Sequence, residues 1–300
     1  MADVEQWHAP LASRWRAEFP AVIVLDGATG TELGRRGVET RTTLFSAAAL
    51  LDEKGVRTLR EIHRDYLKAG AQVITADTFR TNPRMAGPRW RELTELAVRI
   101  AKESGARAVA GSLAPVADCY LPELRPPPDV ARREHSEMAR ALAAAGCDLL
   151  LVETVAAADE GLAAVEAAAA TGLPVWVAAM AMPDGRMKSG DDLRVFFLAA
   201  RERGARAALL NCIPCEGVDL ALDLARGSGL PFGAYAHMGE VDPAAGWPVS
   251  PMLEPPQYAI RAARWLEAGA TIVGGCCGTT PDHIAALAAI SPERVDPCSL

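Results

Sequence analysis

Three cysteines stand where their spacing could do chemistry. Cys276 and Cys277 are adjacent in ATIVGGCCGTTPDHIAAL, residues 270–287, where an apolar run ends and a helix begins. Cys212 lies about 60 residues earlier, in LLNC. Neighbouring cysteines rarely bond each other, because the ring they close departs from preferred disulfide geometry. The pair therefore has three readings: buried fillers, a redox couple, or two ligands of one metal ion. If folding brought Cys212 beside them, three thiolates at one point would repel unless a cation neutralised them, and tetrahedral zinc is the usual choice. Gly274, Gly275 and Gly278 flank the pair and free the backbone to turn sharply. His237 is the nearest candidate for a fourth ligand; without it, the open position would take a thiol and hold it as thiolate.

The elements that must position these residues repeat along the chain. A helical stretch ends in a small residue plus Gly, and a short apolar run follows, as in YLKAGAQVITAD, AKESGARAVAGS, LAAAGCDLLLVET, AAATGLPVWVAAM, RERGARAALLNC, ARGSGLPFGAYA and LEAGATIVGGCC. Gly suits the position just past a helix end. Runs apolar at nearly every position are strands covered on both faces. The helices between are amphipathic; VRTLREIHRDYLKAG places Val56, Leu59, Ile62, Tyr66 and Leu67 near one stripe. PRWRELTELAVRIAKESG and PPQYAIRAARWLEAG behave alike, each with Pro near its first turn. With AVIVLDG at 21–27 there are eight strands, each followed by a helix. This predicts a single (β/α)8 TIM-type barrel over residues 20–292, with an N-terminal extension at 1–19 and a tail at 293–300. An open doubly wound sheet is the alternative, but no G-x-G-x-x-G follows the first strand. Pro-rich LPELRPPPDV reads as a long β3–α3 loop.

In such a barrel the strand C-termini form the active face. Along that rim come Asp26, Asp77–Thr78, Ser112, Glu153–Thr154, Met180 or Met182, Asn211–Cys212, Tyr235 with His237, and Cys276–Cys277. Closure sets strands 6 and 8 two places apart on one rim, so three sulfurs can converge there and form a zinc site at the strand ends.

The bulk numbers argue for a soluble protein with small-molecule ligands. The chain has 300 residues, half of them hydrophobic, and a net charge of −7 with no Lys/Arg block, so neither nucleic acid nor a membrane surface is an expected partner. The start shows no secretory leader, no window reaches a membrane span, and seven cysteines fit thiol or metal chemistry in a reducing cytoplasm. Oligomerisation is compatible with all of this.

At these residues the chain resembles a known family. LLNC at 209–212 with GGCCGTTPDHI at 274–284 is similar to the zinc-binding pattern of the homocysteine S-methyltransferases. That family includes betaine- and S-methylmethionine-dependent enzymes and the homocysteine-binding domain of cobalamin-dependent methionine synthase. VLDGATGTEL, ADTFRTNP, AGSLAP and LLLVET match further blocks in the same order, and the resemblance spans roughly residues 20 to 292. It implies a zinc-dependent barrel that methylates homocysteine to methionine, with Cys212, Cys276 and Cys277 on Zn2+. It also implies Asp26 and Glu153 at the α-amino group, and backbone N–H groups near Gly27 and Thr78 at the carboxylate. Charge complementarity to a zwitterion agrees.

Two segments depart from the family. Many relatives carry Trp where this chain has TTLFSAAAL with Phe45, and Tyr-Pro-Asn where it has Tyr235-Ala236-His237. Tyr235 and His237 join the substrate candidates; His237 could instead ligate zinc, bind a donor carboxylate or hydrogen-bond within its loop. Trp247 could offer an aromatic face to a cationic donor. Because 300 residues leave no room for folate or cobalamin domains, a small activated donor is expected, S-methylmethionine or S-adenosylmethionine before betaine. The alternatives are another thiol or selenol acceptor, such as selenocysteine, and a non-catalytic zinc barrel serving a larger methyl-transfer system. Plainer readings stand beside each residue: a turn Asp before Gly for Asp26, a helix N-terminal charge for Glu153, a cap for Thr78, a core aromatic for Tyr235. Cys119, Cys147, Cys215 and Cys298 read as packing, and His63 and His135, in charged helical stretches, as surface residues.

Overall fold

Seven helix-to-strand joins carry one backbone signature. Gly70, Gly105, Gly146, Gly172, Gly204, Gly229 and Gly269 all adopt φ between 75° and 106°, the left-handed region that a Cβ disfavours. Each reverses the chain from a helix into the next strand. In this computed structural model residues 22–239 and 253–291 are described. The expected N-terminal extension and tail, Trp247 and Cys298 lie outside them.

Eight strands follow in order: β1 Ile23–Val24, β2 Val73–Ala76, β3 Ala108–Leu113, β4 Leu149–Val155, β5 Val175–Ala179, β6 Ala205–Pro214, β7 Phe232–His237 and β8 Ile272–Gly275. Neighbours pair in parallel from β2 through to β8, and β8 pairs with β1. A parallel bridge between Leu25 and Val73 closes the ring, with Gln72 N–H donating to Val24 O at 2.8 Å and Asp26 N–H to Val73 O at 3.1 Å. Each strand is followed by a helix: α1 Glu53–Lys68, α2 Trp90–Glu103, α3 Pro128–Ala144, α4 Ala158–Ala169, α5 Leu193–Glu202, α6 Cys215–Arg226, α7 Pro255–Glu267 and α8 Pro281–Ile290. The molecule is a single (β/α)8 barrel.

Strand alternation divides the apolar residues into two cores. Leu25, Val73, Ala110, Leu151, Trp176, Leu209 and Ile272 fill the lumen, where the alanines of β3 and β6 leave room for the indole of Trp176. Residues such as Leu59, Ile74, Val98, Leu142, Val165, Phe197 and Leu222 pack strands against helices. Side chains fill the lumen, and the polar rim residues stand at its C-terminal end.

Two histidines depart from expectation. His63 and His135 are buried, not on the surface. His63 follows buried Leu59 by four positions, so the buried face of α1 is wide enough to include it despite its charged neighbours. Burial alone lowers its pKa to about 4, so it is neutral at pH 7. His135 lies 3.3 Å from Glu160 of α4, whose carboxylate also accepts from Val116 N–H at 2.9 Å.

The close approach of β7 to β8 is a test of the closure. A Cβ at Gly233 would fall 1.7 Å from Ile272 O, whereas one at Gly105 would meet nothing within 4 Å. Gly233→Ala is expected to destabilise the barrel by about 3 kcal/mol or more, and Gly105→Ala by about 1 kcal/mol for its positive φ alone. Urea unfolding followed by circular dichroism reads both; equal losses would refute the packing argument.

Candidate metal centre

The sulfur site is made by a bulge and a turn. In β6 the pairing register shifts between Asn211 and Pro214, and Cys212 takes φ 53°. In β4 it shifts between Val152 and Val155, and Thr154 takes φ 58°. Left-handed backbone at non-glycine residues is strained and needs support. The two bulges support each other across β5. Asn211 Nδ2 donates to Thr154 Oγ1 at 2.9 Å, and Thr154 N–H donates to Asn211 Oδ1 at 3.1 Å. This pair aims Cys212 at the mouth of the barrel.

The Cys276–Thr279 turn comes from the other side. Cys276 N–H donates to Ala236 O at 3.0 Å, and Met238 N–H to Cys277 O at 2.7 Å, tying it to β7. A short helix after β1, Thr29–Arg35, holds its far end: Gly278 N–H donates to Thr31 Oγ1 at 3.1 Å, and Arg35 Nη2 to Gly278 O at 2.6 Å. The three flanking glycines differ in purpose. Gly278 has φ 89° and turns the chain, whereas Gly274 and Gly275 permit contact: a Cβ would meet Leu25 Cβ at 2.6 Å in the first and Thr279 Oγ1 at 2.3 Å in the second.

Cys212 Sγ lies 2.9 Å from Cys276 Sγ and 3.9 Å from Cys277 Sγ, and the adjacent pair is 3.8 Å apart. All are free thiols, beyond a covalent S–S bond of about 2.05 Å. Two of the three spacings match the edge of a tetrahedron with metal–sulfur bonds near 2.3 Å, about 3.8 Å. Proton chemistry also calls for a cation. The first proton leaves easily, because the other two thiols hydrogen-bond the thiolate and pull Cys276 down to about 5. Hydrogen bonding to Cys212 and Cys276, then burial and the charge of those two, hold Cys277 well above the ordinary thiol range. Only a positive ion permits three thiolates. Among the described residues these three form the one cluster with metal-ligating atoms all within 4.8 Å of one another. His237 is not a member; the Cys212 pKa is raised, chiefly by its hydrogen bond to Cys276, with His237 only opposing the rise. Cys212 is buried, while Cys276 and Cys277 are half-buried and open to an entering molecule.

Two carboxyls lie beside the sulfurs. Asp26 accepts from Thr75 N–H at 2.8 Å and Thr75 Oγ1 at 3.0 Å. Glu153 accepts from Ser112 Oγ, and from Tyr235 Oη at 3.0 Å. Desolvation raises Asp26 to about 8 and Glu153 to about 7, with each hydroxyl contact opposing the rise. Thr78 is buried, with its N–H on Ala76 O at 2.7 Å and its hydroxyl on Ser112 O at 2.9 Å. Gly27 packs so closely on Tyr66 that a Cβ would lie 2.7 Å from its ring. Asp77, on the same rim, is buried with Oδ2 unpaired among the described residues, and burial raises its pKa to about 6.

Sequence reasoning missed the Asn211–Thr154 pair, Thr75 beneath Asp26, and Tyr120, whose hydroxyl lies 3.8 Å from Cys212 Sγ. Asn211 and Thr154 each stand beside a residue that was singled out, but no spacing in one chain links them.

Fold and site together define a (β/α)8 barrel protein with three converging thiols at its open end, a cluster that could hold a metal ion. The sequence profile of the homocysteine S-methyltransferases matches residues 23–291. The homocysteine S-methyltransferase of Escherichia coli is 32% identical over 301 residues, covering 90% of this chain and 95% of that protein. YbgG of Bacillus subtilis, also a homocysteine S-methyltransferase, is 30% identical, covering 89% and 94%. The crystal structure of the E. coli homocysteine methyltransferase MmuM in its metallated form superposes with a TM-score of 0.78 at 27% identity, over 92% of this chain and 98% of that one. The chain belongs to the homocysteine S-methyltransferase family and is an enzyme of that class.

Because the Asn211 amide supports both bulges, Asn211→Ala is expected to weaken metal retention about tenfold or more while Cys212 remains. Competition with a chromophoric chelator measures this. Unchanged affinity would show that the bulge sustains itself.

Proposed function

We propose that this enzyme transfers a methyl group to homocysteine from a small onium donor, S-methylmethionine or S-adenosylmethionine, with zinc at Cys212, Cys276 and Cys277. The carrying observation is the convergence of three free thiols at the open end of the barrel, beside two buried carboxyls. When bound, the zinc ion would supply the charge that keeps an incoming thiol ionised at neutral pH.

The chain's own groups bind and align. Asp26 and Glu153 receive the α-ammonium of homocysteine; its charge replaces the protons these carboxyls hold in the empty site, so binding releases protons. Thr75, Ser112 and Tyr235 fix the two carboxyls in place. The Gly27 N–H makes no hydrogen bond to another described residue and is available to the substrate carboxylate, whereas Thr78 shapes the rim. His237 stands at the end of β7 beside the sulfur site and is a candidate contact for the donor. In the transfer, the homocysteine sulfur forms a bond to the methyl carbon as the carbon–onium bond breaks. The released electron pair stays on the donor sulfur, which leaves as a neutral thioether. No proton moves, so alignment within attack distance is the protein's main contribution.

Zinc-loaded protein incubated with homocysteine and each donor in parallel should form methionine from a sulfonium donor. Methionine from none of the donors would overturn the proposal. Cys276→Ala should lose zinc and activity together while keeping the barrel's circular dichroism; loss of the fold would make the metal structural. On added homocysteine, X-ray absorption should show one more sulfur at zinc; an unchanged closed shell would point to a non-catalytic site.

Asp26 links function to stability. Its folded pKa of about 8 lies above the ordinary 3.8, so between those values the folded chain holds a proton that the unfolded chain has lost. Stability of the metal-free, ligand-free protein therefore falls as pH rises through that window. Asp26→Asn should lessen this dependence, leaving the shares of Glu153 and Asp77, and should be more stable than wild type at pH 8. It should also raise the homocysteine KM about tenfold or more at unchanged zinc content. Unfolding curves at pH 4 and pH 8 and initial rates check both; an unmoved KM would remove Asp26 from the site.

A further inference from the structure

Above the sulfur site sits a cation that the proposed chemistry does not use. Tyr120, in the β3–α3 loop, donates its hydroxyl to Cys212 Sγ at 3.8 Å. Lys188, in the β5–α5 loop, holds its ammonium over the face of the same ring, 5.3 Å from the centroid. The ammonium is thus one tyrosine ring away from the sulfur trio. Both residues are set by their backbones. Tyr120 N–H donates to Asp118 Oδ1 at 2.8 Å in an Asx turn. Lys188 is the second residue of the Met187–Gly190 turn, closed by Gly190 N–H on Met187 O at 2.9 Å. Ser189 N–H fastens that turn to Ala156 O at 2.9 Å, and Asp191 accepts from Ala158 N–H at 2.8 Å, so the turn is clipped to the end of β4.

Lys188 is exposed and makes no ion pair with another described residue, whereas Lys68 and Lys102 both pair with aspartates. A free ammonium on a fastened turn, seated on an aromatic ring at the mouth, is a recognition element lacking its anion. The polarity of the site says which anion. Three thiolates around a divalent zinc ion leave the deep end with a net negative charge, and Lys188 makes the mouth positive. A zwitterionic onium compound would enter with its cationic, methyl-bearing centre inward and its carboxylate outward. The acceptor is the wrong candidate, because its ammonium is drawn to Asp26 and Glu153 in the lumen.

We infer that Lys188, seated on Tyr120, binds the carboxylate of the methyl donor and so makes the enzyme selective for carboxylate-bearing onium donors. This rests on the methyl-transfer reading above. The test compares S-methylmethionine and S-adenosylmethionine, each with its decarboxylated counterpart, in wild type, Lys188→Gln and Lys188→Arg, all zinc-loaded. Wild type should prefer the carboxylate-bearing member by about tenfold or more in kcat/KM. Lys188→Gln should lose most of that preference through a raised donor KM, with the homocysteine KM unmoved, and Lys188→Arg should retain it. A preference that survives in Lys188→Gln, or a raised homocysteine KM, overturns the assignment. Wild type inert with every sulfonium donor would instead overturn the methyl-transfer reading itself, and this inference with it.

Discussion

Three sulfur atoms within 4 Å of one another cannot all be thiolates without a positive ion among them. That constraint organises the open end of the barrel. The trio needs three positions delivered from two strands that are not neighbours, to within a few tenths of an ångström. The closed parallel ring sets β6 and β8 on either side of β7, and β7 carries the backbone acceptor that locates Cys276. The remaining precision comes from strained backbone at Cys212 and Thr154, stabilised by one amide. Strain of this kind persists only where surrounding contacts determine it, which is why it sits at the site and not elsewhere on the strands.

The same low-dielectric lumen gives the carboxyls their character. Asp26 and Glu153 stand above an apolar plug of Leu25, Leu151, Trp176 and Leu209, and burial dominates both. In water each would be ionised at pH 7; here burial keeps Asp26 mostly protonated and Glu153 about half so. An ammonium therefore meets groups that gain affinity as it binds. The cost is borne by the empty protein, whose stability declines with rising pH because the buried carboxyls must then ionise without a partner.

Polarity changes sign from the lumen to the mouth. The sulfur trio lies deep, an ammonium lies at the rim, and a tyrosine joins the two regions. In the proposed reading, two zwitterionic substrates are sorted by which end leads. Such sorting needs no moving part, because both loops are held by turns already closed in the backbone.

Much of this was legible in the chain. The repeated small-residue-Gly join followed by an apolar run marks a strand covered on both faces, and eight of them mark the barrel, because local backbone preference and periodicity are written in consecutive residues. The adjacent cysteines and Cys212 were legible as a set because topology alone carries β6 and β8 to one rim. His63 and His135 were misread, since charged neighbours hide how wide the buried face of a helix is. The sequence by itself determined the repeat, the fold and the identity of the sulfur trio. Only the tertiary structure decided that Asn211 braces Thr154 across β5, that Thr75 holds Asp26, that Tyr120 reaches Cys212, and that Lys188 rests on Tyr120. Each of these joins residues on different strands or loops, through angles and distances that exist only once the ring has closed.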